Sequence, residues 1–189
     1  MSDLYSFVYK GVLTDASLDK VGRHRKRLFG LDEAARLREA LAFEMLDQDL
    51  LAEAQRMSVV YSAIHAFENA VREFVRRAMA EEYAEEWWSK VPQKIQTKVV
   101  TRRDEDGKFR YHGTRGASEI MYCDFGDLSS IIVTNWSVFE DVLADMEWAK
   151  AVLNTLERSR NTVMHGGVLA DEDMERVGMN IRDWIRQTG

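Results

Sequence analysis

The sequence predicts an all-α protein, and three observations lead to that fold class. Only one proline and 11 glycines occur in 189 residues, too few turn formers for a protein of many short strands. Apolar residues between Met57 and Ala78 recur at alternating spacings of three and four, as on one helix face. The length suits one domain with a sizeable core. We expect a helical domain over residues 31–189, with its core at about 57–185, behind an N-terminal arm of residues 1–30.

The N-terminal arm begins with LYSFVYKGVL, which predicts a short strand or an extended segment. It continues into the basic run KVGRHRKR, from Lys20 to Arg27. A helical pattern follows from Asp32, which is a predicted N-cap. Its apolar positions are Ala35, Leu37, Leu41, Leu46 and Leu50.

The central helix is the strongest prediction in the sequence. Its apolar face consists of Met57, Val60, Ile64, Phe67, Val71, Phe74 and Ala78. Pro92 is predicted to end this helix, and Trp87 and Trp88 are expected in the core or at an interface. Residues 93–126 show no long periodicity, and RRDEDGKFRYHGTRG predicts an exposed loop or a short hairpin across Asp106-Gly107. Residues 93–116 are therefore interpreted as an insertion between two helix groups.

Helical patterns return after this insertion. Asp127 is a candidate cap, and Ser137 with Glu140 forms a predicted capping box. The apolar stripe behind it runs through Phe139, Leu143, Met146, Ala149, Val152, Leu153 and Leu156, with a break expected near Asp145. The helix is expected to end at Gly166-Gly167. A last helix is predicted from Asp171, with Met174, Val177, Ile181, Trp184 and Ile185 facing inward.

The net charge of −6 argues against a protein that coats nucleic acid by bulk attraction. Two stretches are nevertheless basic, one from Lys20 to Arg27 and one from Lys94 to Arg110. They form either ordinary solvated faces or local patches that face phosphate. On the second interpretation the candidate RNA-binding residues are Arg23, Arg25, Lys26, Arg27, Arg102 and Arg103.

The single cysteine, Cys123, excludes a disulfide framework or a cysteine-based zinc site within one chain. We interpret it as a buried thiol in a reducing compartment. Asp124 and Asp127 lack a third ligand at a telling spacing, so neither a metal nor a cofactor is predicted. No apolar run is long enough to span a bilayer, and the N-terminus does not resemble a secretion signal. We therefore expect a cytoplasmic protein without membrane contact.

The stretch RSRNTVMHGG, from Arg158 to Gly167, combines cationic, amide and imidazole groups at a helix end. Helix capping alone would explain cations and glycines here. A site for metal-independent RNA cleavage would explain the same groups. Such a site needs an acid or base near neutral pH, for which His165 is suited, and a cation for phosphate charge, for which Arg160 is suited. One histidine does not conveniently serve as both acid and base, which favours a two-fold dimer.

Arg160, Asn161 and His165 match the R-x4-6-H motif of HEPN domains in its Arg-Asn-x-x-x-His form. The helix VVYSAIHAFENAVREFV, the Trp pair after it and the stretch YCDFGDLSSIIVTNWSVFE resemble the Swt1-type branch of that superfamily, over roughly Met57 to Trp184. The resemblance implies a helical bundle that forms a homodimer with both motifs in one cleft. It also implies a metal-independent endoribonuclease of a toxin–antitoxin or anti-phage system. Its expected partners are RNA (tRNA or mRNA), a second copy and an antitoxin protein.

Several alternatives remain open on the sequence. Arg158 also satisfies the motif spacing, although Arg160 is favoured as the motif arginine because Asn161 follows it directly. Glu68, Asn69 and Arg72 interrupt the central helix, either as an exposed Glu–Arg pair or as residues that flank the cleft and orient Arg160 or His165. The rival function is a non-catalytic HEPN adaptor that binds RNA or a partner protein through the dimer groove.

Overall fold

The computed structural model describes Lys10, Gly11, Thr14, Ser17 and residues 31–189. Seven α-helices and three 3₁₀ helices occur in residues 31–189, and that stretch contains no strand. The predicted all-α fold is therefore confirmed. Lys10 and Gly11 are helical, so the predicted strand is not formed at these two positions. The other residues of that segment, and the basic residues Arg23, Arg25, Lys26 and Arg27, lie outside the described residues.

The helices are taken in chain order. They are α1 (Leu31–Ala40), α2 (Gln48–Tyr83), α3 (Gln93–Lys108), α4 (Phe125–Thr134), α5 (Trp136–Leu143), α6 (Met146–Met164) and α7 (Asp171–Thr188). The 3₁₀ helices are Phe43–Met45, Ala84–Lys90 and Glu119–Tyr122. The chain divides into two compact units, Met1–Gln48 and Asp49–Gly189. None of the described helices has an apolar stretch long enough to cross a bilayer.

The first unit contains α1, which begins at Leu31, one residue before the predicted cap. Leu37, Leu41 and Leu46 are exposed, and so is Leu50 at the start of the second unit. The leucines predicted as apolar positions of the helical pattern from Asp32 are therefore not buried. Ala42 adopts a left-handed backbone conformation with φ of 52° and interrupts the helix, so the leucines do not lie on one continuous helix.

The second unit is built around α2. The predicted stripe on this helix is confirmed, because Met57, Val60, Ile64, Phe67 and Val71 are buried. The aromatic core is centred on Trp184 of α7, which is fully buried. Its ring lies 5.8 Å from Phe67 and 6.0 Å from Phe74 of α2, and 5.8 Å from Trp148 of α6. Through these contacts α2, α6 and α7 share one hydrophobic core.

The break predicted near Asp145 is confirmed. Ala144 has φ of 58°, and the Asp145 side chain accepts a hydrogen bond of 2.7 Å from the backbone N–H of Trp148, which starts α6. The predicted capping box at Ser137 is wrong, because α5 begins at Trp136 and no side chain caps it. The inward position predicted for Ile185 is also wrong, since this side chain is exposed.

The segment between the helix groups differs from the prediction. Residues 93–108 form α3, so the hairpin across Asp106-Gly107 is not formed, and the loop is confined to residues 109–118. Ile95 and Val99 are the buried apolar positions of α3. The next position on that face is Arg102, whose ion pairs take the place of an apolar contact. An apolar stripe that ends after two residues is too short to predict a helix.

Candidate functional site

Arg160 lies in an open cleft of about 580 Å³ between α2, the end of α6 and the segment that precedes α4. The cleft is lined by Tyr61, His65, Glu68, Asn69, Arg72, Arg102, Arg115, Met121, Tyr122, Cys123, Asp124 and Arg160. The residues that interrupted the apolar pattern of α2 thus share a cleft with the motif arginine. This cleft is the candidate functional site.

Glu68 is the buried anion of the cleft. It is only 4% exposed, and its two carboxylate oxygens face two different arginines. Oε1 accepts a hydrogen bond of 2.6 Å from Arg72 Nη2, one helical turn along α2, and Oε2 lies 3.8 Å from Arg160 Nε on α6. We call Glu68, Arg72 and Arg160 the cleft cluster. The alternative of an exposed Glu–Arg pair on α2 is excluded, because both partners are withdrawn from solvent.

Arg72 ties α2 to the start of α4. Its Nε and Nη2 donate to the backbone carbonyl of Cys123, at 3.1 and 2.8 Å. Its Nη1 donates to Asn69 Oδ1 at 2.9 Å, and Asn69 Nδ2 in turn lies 3.2 Å from His65 Nε2. Every nitrogen of this guanidinium therefore has a protein acceptor, which fixes the side chain within the cleft.

Arg160 is less constrained than Arg72. Besides its approach to Glu68, its Nη1 donates a hydrogen bond of 3.2 Å to Asn161 Oδ1, and 34% of the side chain is exposed. Within residues 31–189, Arg160 Nη2 has no hydrogen-bond acceptor. A guanidinium group that keeps free donors beside solvent is suited to bind the oxygens of a phosphate.

His165 lies at the end of α6, exposed to solvent and outside the residues that line the cleft. Its backbone N–H donates to the carbonyl of Asn161, which closes the last turn of the helix. Gly166 then has φ of 77°, and a Cβ added to Gly167 would lie 2.7 Å from Thr162 Cγ2. Glycine at both positions is thus required for the helix to end here.

Arg158 points to a different part of the molecule from Arg160. It lines a second cavity of about 430 Å³ between α6 and α7, together with Ser159, Thr162 and Arg176. Asn161 is exposed, and its side-chain oxygen accepts the hydrogen bond from Arg160. Of the two arginines that satisfy the motif spacing, Arg160 is the one that shares a cleft with Glu68.

A second group of charges lies where α3 meets the start of α4, and two of its members, Arg102 and Asp124, also line the cleft. Arg102 donates to Asp124 at 2.6 Å and to Asp127 at 2.8 Å, and Lys98 donates to the same carboxylates at 3.2 and 2.8 Å. Asp124 and Asp127 also form a reciprocal capping box, so Asp124 is the N-cap of α4 in place of the predicted Asp127. We call these four residues the cap cluster.

The cap cluster holds the Asp124 carboxylate in the charged form. Burial alone would raise the pKa of Asp124, but hydrogen bonds from Arg102, from the Asp127 amide and from Lys98 outweigh burial and hold that pKa well below its usual range. Arg102, a predicted RNA-binding residue, is therefore engaged inside the protein. Arg103, the other such residue of α3, is exposed and lies 3.4 Å from Glu119. Among the described residues, no three His, Cys, Asp or Glu side chains are placed to hold a metal ion.

Cys123 confirms the predicted buried thiol. It is 1% exposed, and burial, with a smaller contribution from the Asp127 carboxylate, raises the pKa of its thiol to about 12. The thiolate needed for nucleophilic chemistry is therefore strongly disfavoured at neutral pH. Cys123 acts through its backbone, as the acceptor for Arg72.

The sequence did not indicate the role of Lys98 or of the carbonyl groups of Tyr122 and Cys123. A partial signal was present, since Lys98 and Arg102 are four residues apart and Asp124 and Asp127 have capping-box spacing. The pairing of these two short patterns depends on the tertiary fold.

Comparison with known families identifies the segment that carries the cleft. The family description "Swt1-like HEPN" matches residues 62–189, which is more than half of the chain. The matched segment contains both the cleft cluster and His165. No curated protein and no solved structure matches the chain.

Proposed function

The chain belongs to the Swt1-like HEPN family, and from this premise we propose that it is a metal-independent endoribonuclease. The family supports an RNA-related function in general. The observation that carries the narrower proposal is Arg160, a partly exposed guanidinium group that has free donors and lies in the cleft near Arg72 and the buried carboxylate of Glu68. Arg72 and Arg160 together exceed the charge of Glu68 by one positive unit, so the cleft cluster favours an anion.

In the proposed reaction the 2′-oxygen of a ribose attacks the adjacent phosphorus, and the bond from phosphorus to the 5′-oxygen breaks. The products are a 2′,3′-cyclic phosphate and a 5′-hydroxyl. Arg160 stabilises the charge that develops on the phosphoryl oxygens, and His165 is the general base or acid. Asn161, whose side chain accepts a hydrogen bond from Arg160, orients that guanidinium group.

Two protomers are part of this proposal. His165 is exposed and does not line the cleft of its own chain. In addition, one imidazole does not conveniently both accept the proton of the 2′-hydroxyl and donate a proton to the leaving 5′-oxygen. A homodimer would supply a second Arg160–His165 set. The proposed setting is a cytoplasmic toxin or anti-phage system, with tRNA or mRNA as substrate and an antitoxin protein as a regulator.

The test is cleavage of total RNA and tRNA by the wild type and by His165→Ala, in EDTA. We expect the substitution to lower the rate by about 10²- to 10⁴-fold, because it removes a general acid or base. Arg158→Ala is the matched control on the same helix and should cleave at the wild-type rate. Circular dichroism should show that all three proteins are folded, and the products should carry 2′,3′-cyclic phosphate ends. Equal cleavage by the wild type and His165→Ala, or a strict need for a divalent ion, would contradict the mechanism.

A second candidate function is favoured by the exposure of His165. A histidine outside the cleft is also compatible with an adaptor that binds RNA or a partner protein without cutting RNA. Such an adaptor would leave RNA intact, and its binding would not change in His165→Ala. Growth of cells that express the wild type or His165→Ala separates the two functions further, since only an active nuclease should arrest growth in a manner that depends on His165.

A further inference from the structure

The loop between α3 and the 3₁₀ helix Glu119–Tyr122 exposes two aromatic rings in a cationic segment. Tyr111 is 87% exposed and Phe109 is 53% exposed, and their ring centroids lie 6.1 Å apart. From Lys108 to Gly116 the sequence KFRYHGTRG contains three cations and no carboxylate. Of these cations, Arg115 lies 3.9 Å from Asp106, whereas no ion pair is formed by Lys108 or Arg110 within the described residues. Neither the predicted core of the domain nor the proposed catalytic residues account for this segment.

The base of this loop is fixed to the protein. Asp106, in the last turn of α3, accepts a hydrogen bond of 3.1 Å from the backbone N–H of Arg115. The Arg115 guanidinium lies 6.0 Å above the ring of Tyr122, and both residues line the cleft that contains Arg160. Gly116 packs so closely on Met121 that an added Cβ would lie 2.8 Å from Met121 Cγ. The end of the loop at Arg115 and Gly116 is thus fixed at the cleft, and the exposed rings of Phe109 and Tyr111 lie at its other end, directly after α3.

Rings that alternate with cations match the two parts of an unpaired nucleic-acid strand. Every base has a flat face that stacks on an aromatic ring, and every linkage carries a phosphate that pairs with lysine or arginine. Bases within a duplex are already stacked on one another and are not free to do so. An acidic or apolar protein segment would match only one of the two features of the loop.

We propose that this loop is a binding site for unpaired RNA. A base stacks on Tyr111, Phe109 supports a neighbouring base, and Arg110 contacts the phosphate backbone. The strand then continues past Arg115 into the cleft. This inference rests on the RNA substrate of the proposed function and does not depend on cleavage.

The test is the affinity of the full chain for fluorescently labelled RNA, measured by fluorescence anisotropy in EDTA. All proteins carry His165→Ala, so that the RNA remains intact. One probe is an unpaired oligoribonucleotide, and the other is a blunt duplex of the same length. Tyr111→Ala should weaken binding of the unpaired probe by about 5- to 150-fold, the typical range for loss of one stacked base. Tyr111→Phe, which keeps the ring, should bind as the parent does.

Two further variants separate stacking from charge. Arg110→Gln should lower the slope of log affinity against log salt by about 0.7, the value for one phosphate contact on a single strand. Ile185→Ala, at an exposed position on α7, is the control for a surface truncation outside the loop and should have no effect. Circular dichroism should confirm that each variant retains its helical content.

The outcomes decide the inference separately from the proposed function. Equal affinity of the parent and Tyr111→Ala for unpaired RNA overturns it, as does an equal loss on the duplex. Failure of the parent to bind unpaired RNA also overturns it and leaves a protein as the partner of the loop. If binding depends on Tyr111 but the wild type with an intact His165 cuts no RNA, the inference is upheld and the nuclease is rejected. If the wild type cuts RNA but binding does not depend on Tyr111, the nuclease is upheld and the inference is rejected.

Discussion

The cap cluster and the cleft cluster lie side by side but differ in charge balance. Lys98 and Arg102 face two carboxylates, those of Asp124 and Asp127, so the cap cluster is neutral as a group. In the cleft cluster, two arginines face one carboxylate. A balanced group holds the chain together and has little capacity for a further anion. An unbalanced group beside an open cleft favours an anion, and this difference supports the site proposed above.

The two clusters meet on one short backbone segment. Arg102 of the cap cluster donates to the carbonyl of Tyr122, and Arg72 of the cleft cluster donates to the carbonyl of Cys123. Two arginines from different helices therefore position the entry into α4. The number of arginines in the cleft therefore does not single out a candidate, whereas the free donors of Arg160 do.

Among the predictions that compare the two clusters, the largest expected effect is the loss of cleavage activity in Arg160→Ala. We expect cleavage to fall by about 10²- to 10³-fold, as for loss of one donor that stabilises transition-state charge. Stability should change little, because Arg160 is partly exposed and its nearest contact to Glu68 is 3.8 Å. Cleavage kinetics and thermal unfolding of the same preparation measure both quantities. A large loss of stability with no specific loss of rate would place Arg160 in a structural role.

The second effect is expected in the cap cluster. Arg102→Met keeps most of the side-chain volume but removes the donors to Asp124 and Asp127, and should lower the free energy of unfolding by about 1–3 kcal/mol. Denaturant unfolding measures this loss. The rate of cleavage per folded molecule should stay near the wild-type value. If Arg102→Met instead abolished cleavage in a fully folded protein, the division between the two clusters would be wrong.

The smallest effect concerns pH. The pKa of Asp124 is depressed in the folded protein, so its ion pairs stabilise the fold above the ordinary pKa of about 4 and this stabilisation is lost as the pH falls below it. Asp124→Asn should be less stable than the wild type at pH 7, and its melting temperature should fall less between pH 7 and pH 3. Parallel curves for both proteins would show that Asp124 does not contribute to acid sensitivity.

Much of the fold could be predicted from periodicity. The stripe from Met57 to Val71 is apolar at every third or fourth position because that face of α2 packs against the core, and such a stripe is visible in the sequence. Helix α3 was missed because Arg102 occupies a position where an apolar residue would have continued the pattern. The capping box at Ser137 was predicted from spacing alone, whereas the helix start is determined by the chain around it.

The site was predictable to a different degree. Arg160 and His165 belong to a local motif, so their positions at one helix end followed from the sequence. Glu68 stood out because it interrupts the apolar pattern of the central helix, but its burial near Arg160 depends on contact between α2 and α6. The hydrogen bonds from Arg72 to the Cys123 carbonyl join residues 51 positions apart. Because every residue type has a backbone carbonyl, the sequence does not show which one acts as the acceptor.

The two glycines after His165 have a consequence for the entropy of binding in the proposed nuclease. Gly166 allows the left-handed turn that ends α6, and the backbone N–H of Gly167 donates a hydrogen bond of 2.8 Å to the Thr162 carbonyl. The spacing of one helical turn between Asn161 and His165 is therefore established when the chain folds. A histidine on a mobile loop would lose its backbone freedom at each binding event. Here that loss is incurred once, during folding, so in the proposed nuclease each encounter with RNA would begin with the backbone of His165 already in place.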